Sequence, residues 1–177
     1  MKAVLFNGSP RKGNTCTALE ALKKGLSHIA DLEIKEIKAN DVRVSPCIAC
    51  DTCGSSGHCI ADDDTNEIID AVVEADVLIF ASPVYWWGVT AQLKSIIDKF
   101  YSQAEKLHTK KKAGTIIIGE AEQEDPQYQL IPKQFACICD YLGWEAVFSA
   151  TYTALNTEDL AKSESALKEI EELWKKL

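Results

Sequence analysis

Residues 2–15, KAVLFNGSPRKGNT, indicate the class of fold. An apolar run from Ala3 to Phe6 leads directly into a loop that contains Gly8, Pro10 and Gly13, and a helical pattern follows the loop. Near-continuous apolar runs are typical of strands buried on both faces, as in parallel sheets. A strand, a glycine-containing loop and a helix in this order predict the first βα unit of an α/β fold.

The same alternation continues along the chain. Apolar runs at 77–81, 115–118 and 146–153 predict further strands, and the alternating residues 32–37 predict a half-exposed edge strand. Helical apolar stripes separate them, at residues 18–29, 68–73, 93–100, 131–142 and 160–174. Five such units predict one domain over residues 1–177, a flavodoxin-like, doubly wound parallel sheet of five strands in the order 2-1-3-4-5.

The amino-acid composition limits the kinds of molecule that this protein is expected to bind. The 177 residues are 46% hydrophobic and 26% charged, which is ordinary for a globular protein. With 19 Lys and Arg against 27 Asp and Glu, the net charge is −8, so we expect neither nucleic acid nor an anionic membrane as a partner. No signal-peptide pattern and no apolar run of about 18 residues is present, so we expect a cytoplasmic protein.

The loop after the first strand suits a single phosphate group. Its spacing approaches that of a triphosphate-binding loop, but Asn14 stands where the lysine that meets the outer phosphates belongs. A helix N-terminus offers unpaired N–H groups to an anion, and Ser9, Arg11 and Thr15 add hydroxyls and a positive charge. We predict a terminal-phosphate site here; the alternative is an ordinary glycine-rich turn whose hydroxyls only cap the helix.

A second loop, SPVYWWG at 82–88, follows the third strand. Ligands of doubly wound sheets bind beyond the carboxyl ends of the strands, so this loop is expected beside the phosphate loop. Tyr85, Trp86 and Trp87 are consecutive and cannot all point into the core. They predict a wall for a planar ligand, a contact with a second subunit, or both.

The segments GSPRKGNT at 8–15 and SPVYWWGVTAQLK at 82–94, with Asp98, resemble the NADPH-dependent FMN reductase family. The resemblance implies that the phosphate of FMN is held by Ser9, Arg11, Asn14, Thr15 and Cys16. It implies that the ring and ribityl chain contact Pro83, Val84, Tyr85, Trp86, Trp87 and Gly88. It also implies a homodimer or homotetramer. We expect no catalytic side chain, because the cofactor carries the chemistry.

The loop after the fourth strand departs from the resemblance. Relatives often have a glycine-rich loop there, whereas this chain reads GEAEQED at 119–125. Four acidic groups next to a reduced flavin would disfavour its anionic form. We therefore expect Gly119 to Ala121 to approach the ring and the acidic side chains to turn outward.

A cysteine-rich loop at 39–63 lies between the second strand and the next helix. Cys47, Cys50, Cys53 and Cys59 have the spacing C-x2-C-x2-C-x5-C. The first three match the cluster-binding run of ferredoxins, and the whole pattern resembles the iron–sulfur flavoproteins, a branch of the same family. These residues therefore predict a 4Fe-4S cluster.

Two alternatives to the cluster stay open, a zinc site and a loop without metal. Zinc is disfavoured because Cys53 and Cys59 are too close to belong to separate knuckles. The acidic neighbours Asp51 and Asp62 to Asp64, with Arg43 as the one nearby basic residue, are unfavourable for a negatively charged cluster.

The resemblance implies an FMN-dependent NAD(P)H oxidoreductase that passes hydride through the flavin to a quinone, a second flavin or another small acceptor. One alternative is an electron carrier of the flavodoxin or iron–sulfur flavoprotein type, which would have a protein partner and no substrate of its own. Another is a sensor whose cysteine loop responds to iron or oxidants. The aromatic loop and the long cysteine loop favour the reductase.

Overall fold

The computed structural model describes residues 1–177 and contains one five-stranded sheet. Its strands are β1 (Lys2–Asn7), β2 (Glu33–Lys38), β3 (Val77–Pro83), β4 (Lys112–Gly119) and β5 (Glu145–Thr153). All neighbouring strands are parallel, in the order β2-β1-β3-β4-β5. The predicted flavodoxin-like fold and strand order are confirmed.

Helices cover both faces of the sheet. They are α1 (Asn14–Leu26), α2 (Cys53–Ser56), α3 (Thr65–Glu74), α4 (Ala91–Asp98), α5 (Ala104–Leu107), α6 (Gln127–Leu142) and α7 (Glu164–Glu171). Short 3₁₀ segments occupy Lys99–Gln103, Leu160–Lys162 and Glu172–Lys176. Helices α1 and α7 bury apolar residues against one face, and α3, α4 and α6 against the other.

The side chains of β1 pack against the helices on both faces of the sheet. Side chains of a strand alternate between the two faces of its sheet. Val4 and Phe6 belong to the core under α3, α4 and α6, whereas Ala3 and Leu5 belong to the core under α1 and α7. An apolar run without polar interruptions is therefore what this central position requires.

Two local details differ from a simple alternation of strands and helices. The stripe at 160–174 is not one helix, because Ser163 interrupts it and its hydroxyl accepts a hydrogen bond from the backbone of Ala166 at the start of α7. Gly25 lets α1 pack closely on α7, since a Cβ atom there would lie 1.9 Å from the carbonyl oxygen of Glu171. No helix combines the length and the apolar character needed to cross a bilayer.

Candidate functional site

A cavity of about 500 Å³ opens at the carboxyl edge of the sheet, where the loops after β1, β3, β4 and β5 meet. The residues that line it are Ser9, Arg11, Gly13, Asn14, Thr15, Pro83, Val84, Tyr85, Trp86, Trp87, Ile118, Gly119, Glu120, Ala121, Asp125, Gln127, Ala154, Leu155 and Thr157. Parallel strands bring these distant segments to one edge because all their carboxyl ends lie on the same side.

The loop after β1 is shaped by its own hydrogen bonds. The side-chain oxygen of Asn7 accepts from the backbone N–H of Ser9 at 3.1 Å, and the hydroxyl of Ser9 donates to the carbonyl of Arg11 at 2.8 Å. No side chain caps the N-terminus of α1. The first N–H groups of α1 therefore lack an intrahelical or side-chain partner, and this end of the cavity suits an anion.

The polar residues at this end have different surroundings. Arg11 is exposed at the cavity and takes part in none of the ion pairs of the structure. Thr15 is buried. Asn14 uses both ends of its amide to hold the loop after β5, donating to Asn156 O at 2.8 Å and accepting from Leu160 N at 3.0 Å. Asn14 thus ties two walls of the cavity together.

Thr90, the N-cap of α4, connects the phosphate loop with the aromatic loop. Its hydroxyl donates to the carbonyl of Gly8 at 2.7 Å and accepts from the backbone of Leu93. The backbone N–H of Thr90 donates to the hydroxyl of Ser82. These buried bonds fix the distance between the two loops, a role that the sequence pattern did not reveal.

The aromatic loop is a tight turn in a costly conformation. Tyr85 and Gly88 exchange two backbone hydrogen bonds of 2.9 and 3.0 Å, and the two residues between them have positive φ angles, 47° at Trp86 and 58° at Trp87. Such turns usually contain Asn or Gly, since bulky residues rarely adopt positive φ. Strained backbone of this kind concentrates at ligand clamps. Trp86 is 91% exposed, so packing does not explain it.

The loop after β4 closes the cavity on the side facing Trp87. Gly119, Glu120 and Ala121 line the cavity, whereas Glu122 and Glu124 do not. Asp125 also lines it and accepts a hydrogen bond of 3.2 Å from the indole nitrogen of Trp87. The expectation that the acidic side chains turn outward is therefore wrong for Asp125, whose carboxylate bonds the indole of Trp87, whereas Glu122 and Glu124 lie outside the cavity.

Two features of the cavity wall fit a bound planar ligand. The side-chain nitrogen of Gln127 is buried without any hydrogen-bond partner, and this residue lines the cavity. A ligand acceptor atom would satisfy it, and an unsatisfied buried donor is otherwise costly. At Gly119 a Cβ atom would lie 2.7 Å from that nitrogen and 3.0 Å from Val84 Cγ2, so the wall accepts only glycine without a shift.

Most residues assigned from the resemblance line this one cavity. Cys16 and Gly88 do not line it: the sulfur of Cys16 accepts from the Asn7 amide at 3.3 Å, and Gly88 closes the turn. Gln127 and the loop after β5 were missed by the sequence reasoning. The position of that loop beyond a strand end was the available signal.

A second, smaller cavity of about 200 Å³ is formed by the cysteine-rich loop and the 3₁₀ turn after α4. Cys47, Cys50, Cys53 and Cys59 all line it. Cys47 and Cys50 are exposed, and the other two are half-buried. No three ligand-type side chains anywhere in the structure are placed so as to hold one metal ion.

Hydrogen bonds to Asp63 and Asp64 hold the two ends of the cysteine-rich loop together. Arg43 and Asp64 are joined by two hydrogen bonds, and Asp63 accepts from the backbone of Ser45 at 2.8 Å and of Thr65 at 3.0 Å. Burial alone would raise the pKa of Asp63, but hydrogen bonding from Thr65, side chain first and then backbone, and from Ser45 outweighs it and lowers the pKa to about 2. The carboxylates of Asp63 and Asp64 therefore stabilise the base of the loop and do not line the cavity.

Two thiols of the loop are held by specific partners. Asn66 exchanges two hydrogen bonds of 2.9 Å with the backbone of Cys59, and the ammonium of Lys99 lies 3.3 Å from the sulfur of Cys59. The backbone N–H of Thr52, followed by its hydroxyl, lowers the pKa of Cys50 below that of an ordinary thiol. Lys99 is thus a second base beside the cysteines, besides the predicted Arg43, and it is not apparent from the sequence because it lies forty positions beyond Cys59.

Comparison with known proteins gives concordant matches. Residues 1–140 match the family described as NADPH-dependent FMN reductase. An iron-sulfur flavoprotein of Archaeoglobus fulgidus is 31% identical over 98% of this chain and 80% of its own length. An iron-sulfur flavoprotein of Methanocaldococcus jannaschii is 40% identical over 56% of this chain, and the match spans only 51% of that protein.

Solved structures agree on the fold. The crystal structure of azoreductase AzrA superimposes with a TM-score of 0.77, covering 100% of both chains at 15% sequence identity. Similarity at this level of identity supports the architecture alone.

Proposed function

The chain belongs to the NADPH-dependent FMN reductase family, and on this basis we propose that it is an FMN-dependent NAD(P)H oxidoreductase serving a quinone, a free flavin or another small acceptor. The observation that carries the proposal is the cavity at the carboxyl edge of the sheet. An uncapped helix N-terminus forms one end of it, and a strained aromatic turn forms the other.

The cavity residues fit FMN. The phosphate would lie at the N-terminus of α1 with Arg11 and Thr15, and the ring would lie against the turn that contains Trp86 and Trp87. The unpaired amide of Gln127 would donate to an acceptor atom of the ring. FMN held by these residues would supply two-electron chemistry between reduced nicotinamide, as hydride donor, and the acceptor, with protons taken from solvent.

The protein's own contribution would be to bind and orient. The exposed indole of Trp86 offers aromatic surface at the mouth of the cavity to a second planar ring, which suits both nicotinamide and a quinone. Trp87, held by Asp125, would keep the turn in place against the loop after β4. No side chain is proposed as an acid or base.

Steady-state oxidation of NADH and of NADPH by the FMN-loaded protein, followed at 340 nm with a quinone acceptor, tests the proposal. We expect multiple turnovers with at least one nicotinamide, because the mouth of the cavity is open to a second ring. Protein without added FMN and free FMN without protein are the controls. A rate no higher than that of free FMN would contradict the reductase proposal.

An electron carrier without its own substrate is the second candidate. It is favoured by the similarity to proteins named iron-sulfur flavoprotein, together with the four thiols that line one cavity. A carrier would show no multiple turnover in the same assay and would instead exchange electrons with a redox protein.

We further propose that Cys47, Cys50, Cys53 and Cys59 bind a 4Fe-4S cluster. The donor set is the one that such clusters use. A cluster distributes its cysteines over separate iron atoms, so it needs a wider spacing of sulfurs than a single zinc ion does. The four thiols line one cavity, which places all four donors around a single space. The cluster would allow exchange with one-electron partners.

We also propose a homodimer or homotetramer. The side chains of Trp86 and Trp87 are 91% and 50% exposed, an unusual display of adjacent large aromatic rings. A second copy of the chain that covers them would also enclose the mouth of the cavity. Light scattering at micromolar protein concentration should give the mass of a dimer or tetramer, and a monomer would contradict this assembly.

A further inference from the structure

Lys99 is a buried lysine that faces the thiols of the cysteine-rich loop. It follows α4 directly, is only 5% exposed and lines the small cavity. Its ammonium lies 3.3 Å from the sulfur of Cys59 and takes part in no ion pair with a carboxylate. Burial of an ammonium group without a negative partner is unfavourable.

The carboxylates that line the same cavity are engaged elsewhere. Asp51 accepts a hydrogen bond of 2.9 Å from the hydroxyl of Tyr101, and Asp98 pairs with Lys94 on the outer side of α4. Neither therefore balances the charge of Lys99. The one hydrogen-bond partner of the ammonium group is the sulfur of Cys59.

Ser102 is an unused donor on the same wall. It lies one 3₁₀ turn after Lys99, is 5% exposed and lines the cavity, and its hydroxyl has no hydrogen-bond partner. Lys99, whose ammonium contacts the sulfur of Cys59, and Ser102, whose hydroxyl has no acceptor, thus line the same cavity as the four cysteines. A negatively charged sulfur-rich group would satisfy both.

We propose that the 3₁₀ turn Lys99–Gln103 is the charge-balancing wall of the cluster site: the ammonium of Lys99 offsets the negative charge of the thiolate-bound cluster, and the hydroxyl of Ser102 donates to one of its sulfurs. This inference rests on the proposed cluster. Both contacts favour the reduced, more negative form, because net charge and hydrogen bonds to sulfur set the reduction potential of such clusters. The wall therefore raises that potential.

Anaerobic redox titration of the cluster- and FMN-loaded protein, followed by its visible and EPR spectra, tests the proposal. Lys99→Met should shift the oxidation–reduction equilibrium at least tenfold toward the oxidised form, which is a potential about 59 mV lower for a one-electron couple. Ser102→Ala should shift it about threefold in the same direction. Lys99→Arg keeps the positive charge and should restore the wild-type potential to within threefold.

Lys133→Met is the matched control, since it removes an exposed lysine from α6, away from the cysteine cavity, and should shift the equilibrium less than twofold. If Lys99→Met loses its iron, retention of iron by Lys99→Arg supports the charge-balancing role, whereas equal loss in both variants overturns it. A full complement of iron with an unchanged potential in Lys99→Met also overturns it. Wild-type protein with FMN and no iron overturns the proposed cluster itself, and this inference with it.

Discussion

Cys50→Ser should abolish binding of iron and sulfide while FMN stays bound. Protein produced anaerobically with added iron should carry about four iron and four sulfide per wild-type chain, the content of a 4Fe-4S cluster. The substitution removes one of the four sulfurs that line the small cavity. FMN should be unaffected, because Cys50 does not line the larger cavity.

Cys50 is the informative position because its surroundings favour the thiolate. The backbone N–H of Thr52, and after it the hydroxyl of Thr52, lowers the pKa of the Cys50 thiol. The thiolate is the form of cysteine that ligates metals, and Cys50 lines the small cavity together with the other three thiols. A serine hydroxyl at the same position stays protonated.

Cys137→Ser is the matched control. Cys137 is exposed like Cys50 but lies on α6 and outside the cavity of the four cysteines. This variant should keep its iron, sulfide and FMN. Wild-type protein that carries FMN but neither iron nor sulfide under anaerobic conditions would contradict the cluster and leave a flavin reductase with a cysteine-rich lid.

Arg11→Ala and Thr15→Ala should each weaken FMN binding by about 1.5–3 kcal/mol, roughly 10- to 150-fold in Kd, the range for hydrogen bonds to charged groups. Arg11 is an unpaired cation at the cavity, and Thr15 is buried in its wall at the N-terminus of α1. Fluorescence titration of the apoprotein with FMN measures the change.

Lys12→Ala provides the control for charge alone. Lys12 neighbours Arg11 and is also exposed, but it does not line the cavity, so its removal should change Kd by less than about threefold. FAD should bind no better than FMN, since the loop suits a terminal phosphate. Unchanged FMN affinity in both Arg11→Ala and Thr15→Ala would show that the phosphate lies elsewhere.

The fold could be predicted from the sequence because the patterns that define its strands and helices involve only neighbouring residues. Burial on both faces makes β1 and β3 continuously apolar, and the run from Gly8 to Gly13 interrupts the strand before α1 begins. Each of these signals needs only neighbouring residues. Right-handed crossovers limit the possible topologies, and five βα units of this size favour the order 2-1-3-4-5.

The phosphate loop after β1 and the aromatic loop after β3 could also be predicted from the sequence. Strand ends are visible in local sequence, and the carboxyl ends of parallel strands lie at the same edge of the sheet. The spacing of the four cysteines was equally visible. The strained turn at Trp86 and Trp87 was not, since a positive φ at a bulky residue contradicts local preference and requires the surrounding structure to impose it.

Tertiary structure decided the polar groups that complete both cavities. Gln127 belongs to a helix start and Lys99 to a 3₁₀ turn, and in the sequence each is one polar residue among many. Gln127 is significant because its buried amide nitrogen has no partner, and Lys99 because its ammonium lies beside the sulfur of Cys59, far away along the chain. Local sequence patterns determine which helices and strands form. The desolvation and charge balance of a buried polar group depend instead on the residues that surround it in the folded protein.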